Sequence, residues 1–156
     1  MRFLLRLKHW QLFVPIFLMF CYRGPGDERV EMLALSLIGL WMFVVGYYGY
    51  NRLAGVGLLP GYIRFPRFAA ATLGWIVLGW VNISFFPGTQ YGVYALLPLI
   101  FGVAYIYSFI IFAHIVHILA YGRIAKTSEV WPWYIAAFIF PVGVWIIQPK
   151  VNEILS

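Results

Sequence analysis

The chain has 156 residues, of which 63% are hydrophobic, 21% aromatic and only 10% charged, and its formal net charge is +6. Soluble domains are roughly half apolar and a quarter charged, and a chain this short has too little interior to hide such an excess from water. Composition therefore argues against a water-soluble domain. It predicts an all-α, polytopic transmembrane helix bundle forming one integral membrane domain over residues 1–156, with the lipid bilayer as its first partner.

The eleven Lys and Arg are scattered at the ends of apolar segments. There they orient a membrane chain and meet anionic lipid. No basic patch with interleaved aromatics stands out, so no nucleic-acid partner is expected.

In chain order, the first apolar segment is "LFVPIFLMFC" (12–21). Extended back to residue 3 it makes a span over about 3–22, with Arg6, Lys8 and His9 snorkelling to the interface. The alternative is an N-terminal interfacial helix followed by four spans. The run ends at Cys21 after the bulky Phe20, where a cleavage site would need a small residue, so the segment reads as retained. One cysteine excludes an internal disulfide and a multi-cysteine zinc site.

A crossing takes about 20 mainly apolar residues, at 1.5 Å rise over a core of about 30 Å. Residues 32–51, 68–87, 93–121 and 131–149 meet this. The third of these has 29 residues and must tilt, kink near Pro98 or extend past the lipid. Gly and Pro break the connection 52–67, which is expected to lie along the membrane surface. "GTQYG" (88–92) reads as a tight turn, and "GYYGYNR" (46–52) and "WPW" (131–133) as aromatic belts.

Five spans place eight positive residues on one side (Arg2, Arg6, Lys8, Arg52, Arg64, Arg67, Arg123, Lys126) and three on the other (Arg23, Arg29, Lys150). Four spans would split them six to five. The positive-inside rule selects five spans in a bacterial inner membrane, N-terminus cytoplasmic and C-terminus external. Pro149 is expected to stop the last helix at Gln148, with Trp145 at the interface and Lys150 and Asn152 in water.

"LKHWQLF" (7–13) and "FIFPVGVWIIQPKVN" (138–152) resemble the two ends of an uncharacterised group of small multi-span bacterial inner-membrane proteins. In that group a helix with a Phe-Pro-(small)-Gly-(Val/Ile)-Trp core closes on Ile-Gln-Pro-(Lys/Arg)-(Val/Ile)-Asn. Trp145, Gln148, Pro149, Lys150 and Asn152 carry the match. The resemblance implies a small multi-span membrane protein and brings no activity, ligand or catalytic residue with it.

"AHIVHILAYGR" (113–123) holds the main polar feature. His114 and His117 are three apart and share a helix face, and Tyr107 and Tyr121 fall on nearly the same face. Ionisable groups inside a membrane are costly and should face the bundle interior. Two histidines fall short of the three or four protein ligands usual for zinc. Lying on one side of one helix, they cannot clasp a haem iron from opposite faces. Neither a metal nor a cofactor is therefore expected, and hydrogen bonds between helices take their place.

Asn82 and Ser84 form a second polar spot, set roughly 13 Å along the axis from the histidines. Ala70 with Gly74, and Gly39 with Gly46, have the spacing of close helix contacts within the chain or between copies. Asp27, Glu28 and Glu31 suit a solvated loop and a helix N-terminus. No nucleophile–base pair, phosphate-cradling loop or paired carboxylates appear.

The leading expectation is a non-enzymatic interaction or accessory subunit, homo-oligomeric or joined to other membrane subunits. The alternative is a homo-oligomeric channel lined by Tyr107, His114, His117 and Tyr121, with Asn82 further along. A haem- or metal-binding redox protein comes third.

Overall fold

The computed structural model describes residues 9–22, 27–85, 96–124, 126–139 and 142–155. They form six helices with no strand among them: α1 His9–Cys21, α2 Asp27–Gly55, α3 Phe65–Phe85, α4 Leu96–Tyr121, α5 Thr127–Phe138 and α6 Val142–Leu155. The all-α class follows from the sequence. The expected turn at 88–92 lies outside the described residues.

Two of these helices are long and apolar enough to cross a membrane: Glu28–Gly55, with mean hydropathy 1.9, and Leu99–Tyr121, with mean hydropathy 2.2. At its N-terminus α2 carries the acids that complement a helix dipole, and it ends beyond Gly55 in a left-handed cap. There Gly57 has φ +71°, the Gly57 N–H donates to Ala54 O, and the Leu58 N–H donates to Leu53 O at 3.0 Å. Pro98 sits in the first turn of α4, where no intrahelical N–H is required, so it does not kink the helix interior. α4 also closes on a left-handed glycine, Gly122 at φ +65°.

The five-span expectation is not supported: α1 and α3, at the expected spans 3–22 and 68–87, are not among the two membrane-length helices, and its last member divides in two. Residues 131–149 are not one crossing but parts of two short helices, α5 and α6, of 12 and 14 residues. Each rises only about 18–21 Å, less than the hydrocarbon core. α6 packs against α5 and also against α1, α2 and α4. A straight continuation of α5 would meet α5 only at the joint, so α6 does not simply prolong the axis of α5.

Pro149 does not stop the last helix either. α6 runs through it to Leu155. An interior proline removes one backbone bond, yet side-chain bonds bridge the site. Gln148 Nε2 donates to Asn152 Oδ1 at 2.9 Å, and Lys150 pairs with Glu153 at 2.9 Å. The side chain of Trp145 lies outside the described residues.

At the N-terminus the described helix starts at His9, and residues 3–8 of the expected first span lie outside the described residues. α1 packs along α2 and α6, with Ile16 fully buried. It is packed into the bundle through that face.

The core lies where α2, α3 and α4 meet. Gly39 faces the Trp75 and Ile76 side chains of α3, and Gly46 faces the Phe68 ring. This sequence-spaced pair does mark a close helix contact. The Ala70–Gly74 pair makes no such contact within the chain, because the space beside Gly74 is open among the described residues.

Polar atoms in the core are paired in a repeated way. Trp75 Nε1 donates to Ser108 Oγ at 3.1 Å while Ser108 donates to Tyr105 O. Trp80 Nε1 donates to Ser36 Oγ at 2.9 Å while Ser36 donates to Met32 O. Meanwhile Leu73, Val77, Leu99, Ile100, Val103, Ile106 and Ile110 face outward.

Candidate functional site

The histidine stretch is the end of α4 that projects beyond the start of α3. Segment 56–64 folds against it. The Ile63 N–H donates to Pro60 O at 3.0 Å, closing a turn that buries Ile63 and brings the Tyr62 ring edge-on to His114 at 5.5 Å. Tyr62 remains half exposed, and its partial burial raises the phenol above its ordinary value. His114 is buried, and its Nδ1–H donates to the Ile110 carbonyl at 2.9 Å, a bond that selects the Nδ1–H tautomer.

His117 lies one turn on and is only 3% exposed. Among the described residues neither ring nitrogen meets a partner at hydrogen-bonding geometry. Buried polar groups are nearly always paired, so this imidazole is the least satisfied group of the cluster. Tyr121 stacks obliquely on it at 4.6 Å, and Trp133 of α5 approaches Tyr121 at 6.3 Å. Glu129, Arg123 and His114 are the titratable neighbours that act on it.

A fixed ion pair covers this end. Arg123 donates through both terminal nitrogens to the two Glu129 oxygens, each at 2.8 Å. Glu129, three residues past Lys126, also accepts the Lys126 backbone N–H at 3.0 Å, tying down the first turn of α5. The Arg123 guanidinium, with help from that N–H, holds the Glu129 carboxyl down at about 2, and Glu129 raises Arg123 in return.

A carboxyl depressed in the folded state stabilises it fully above the ordinary value of 4.5, and the contribution is lost as pH falls toward 2. Thermal unfolding followed across that window should show a loss in the native protein that is missing from Glu129→Gln. Arg123 is exposed and Glu129 only partly buried, so the effect is modest and shrinks with salt. Identical pH profiles for the two proteins would remove the pair from any stabilising role.

The predicted stripe is divided. Tyr62, His114, His117, Tyr121, Arg123 and Glu129 gather at one end. Tyr107 lies seven residues before His114 and borders an apolar groove between α3 and α4. Asn82 and Ser84 are exposed near the far end of α3. Because His114 packs on Tyr62, just before α3, Asn82 is about 25 Å away along the bundle. The expected 13 Å was too short. Among the described residues no three His, Cys, Asp or Glu come together as metal ligands.

A second polar locus escaped the sequence reading. Trp41, midway along α2, donates from Nε1 to Gln148 Oε1 at 2.6 Å, and Gln148, fully buried, passes the chain on to Asn152. Trp41 also packs on the Phe112 ring at 5.3 Å. The only local signal was a lone amide in an apolar run with Asn four residues later. The two partners are 107 residues apart.

The fold and site define a helical bundle with two membrane-length helices, buried Trp–Ser and Trp–Gln hydrogen bonds and a basic, histidine-bearing end. Comparison with known proteins finds no matching family model, no similar curated protein and no similar solved structure. The resemblance of the chain ends therefore rests on the residues quoted for it.

Proposed function

We propose that the protein is a small integral protein of the bacterial inner membrane that acts without catalysis, as an interaction or accessory subunit. The observation that carries this is the distribution of polarity. Ser36, Ser108, Thr72 and Gln148 are buried, while the outer faces of α3 and α4 present large aliphatic side chains. Water favours the reverse arrangement, and lipid favours this one.

In this reading α1 (with the residues before it), α2, α3 and α4 cross the bilayer. α5 and α6 dip in from the cytoplasmic side and return, protected within the bundle. Both termini are then cytoplasmic. Arg2, Arg6, Lys8, Arg52, Arg64, Arg67, Arg123, Lys126 and Lys150 share that side, leaving Arg23 and Arg29 opposite. Nine against two obeys the positive-inside rule more fully than the eight-to-three split of five crossings. The interaction role is favoured over the channel because the residues expected to line one path separate into a buried end cluster, a groove and a distant exposed amide.

The test has two arms on the full chain. A reporter fused after Ser156 should read as cytoplasmic; an external signal would overturn the returning pair. Crosslinking in native membranes should shift the 18.0 kDa chain into a discrete larger species. A chain that stays monomeric there would count against the subunit role.

A further inference from the structure

The groove bordered by Tyr107 has a volume of about 550 Å³, within the range of ligand sites. Ala70 and Ala71 of α3 and Val103 and Ala104 of α4 give it an apolar wall, and its one charged residue is Arg67. Two features give it direction. Arg67 lies in the first turn of α3, beside Arg64 and the basic connection 52–67. From there the groove rises along the outward face, past Val103 at 60% exposure. Small alanine side chains make the depression, while larger neighbours on both helices stand proud of it.

An open apolar trough lined at one end by the aliphatic stem of an arginine suits an acyl chain whose headgroup is a phosphate. Arginine takes phosphate through a planar fork of donors. The basic side of a membrane protein is also where anionic headgroups collect. We propose that this groove is a selective site for one anionic phospholipid of the cytoplasmic leaflet, with Arg67 on the phosphate, an acyl chain along Ala71 and Ala104, and Tyr107 beside that chain. The proposal rests on the membrane reading above and names the ligand chemistry of a surface that reading leaves generic.

The experiment uses the full chain in detergent micelles and native mass spectrometry. Phosphatidylglycerol, phosphatidylcholine of the same chains and inorganic phosphate are added in turn. The native protein should retain phosphatidylglycerol about tenfold better than phosphatidylcholine, the scale of one charge-assisted contact. Arg67→Gln should abolish that preference. Val103→Trp, at an exposed position where folding is tolerant, should displace the lipid by filling the groove.

Equal retention of both lipids, or an unchanged preference in Arg67→Gln, would overturn the site. So would inorganic phosphate displacing the lipid at equal concentration, or Val103→Trp splitting a dimer with no loss of lipid. Alkaline extraction of membranes separates the two levels. A chain that resists extraction but ignores headgroup charge loses only the lipid site, whereas a chain that is extracted loses the membrane reading too.

Discussion

Trp41→Ala should lower the apparent unfolding temperature in detergent by about 10 °C or more, on the scale of a few kcal/mol for a chain of this size. Trp41 is 2% exposed at the middle of α2, so truncation opens a cavity beside Phe112. Large aromatic truncations in packed cores cost about 3–5 kcal/mol. The change also removes the donor that satisfies Gln148. A buried amide left without its partner adds a penalty of about 1–3 kcal/mol. Trp41→Phe separates the two terms, keeping most of the ring and losing the N–H. It should show the smaller loss alone, and Gln148→Leu placed on top of it should recover part of that loss. If Trp41→Phe matched the native protein, the bond to Gln148 would have no energetic part in holding α6.

The second large effect falls on a glycine. Gly46→Ala should destabilise by about 1–3 kcal/mol, the usual range for forcing an extra methyl into a full contact. The added Cβ would collide with the Phe68 ring, which is fully buried and backed by Phe65 at 6.2 Å. The ring has nowhere to turn, so α2 and α3 must separate. Gly74→Ala is the internal comparison, because its Cβ meets open space. There the same change should be neutral or stabilising by up to about 1 kcal/mol, since alanine restricts the unfolded chain and favours helix. Equal unfolding temperatures for the two variants would mean that α2 and α3 are not in the tight contact described.

The apolar runs made α2, α3 and α4 legible, because length and hydropathy are properties of a segment alone. The same criterion failed at 131–149. A window sums composition and does not register direction, so a pair of short helices scores like one crossing. Pro149 was misread for a related reason. The local rule about proline is sound, but Gln148 is held from α2, and that tertiary bond carries the helix through. The histidine face was visible from spacing, yet its distance from Asn82 was not. That distance depends on how far α4 projects past α3, which is set by Tyr62 packing on His114. The Trp41–Gln148 bond had almost no trace in the sequence, since two residues 107 apart are joined only by the fold.

α1 and α6, the first and last of the described helices, lie against each other. This has a consequence for the order of synthesis. The chain leaves the ribosome from the α1 end, and α1 has half its neighbours missing until α6 emerges. α5 and α6 are each shorter than the hydrocarbon core of a bilayer, so neither meets the length of an independent span. The face of α1 that α6 covers therefore stays open until α6 has been made. A truncation of even a dozen residues at the C-terminus would leave the newborn chain unclosed at its other end.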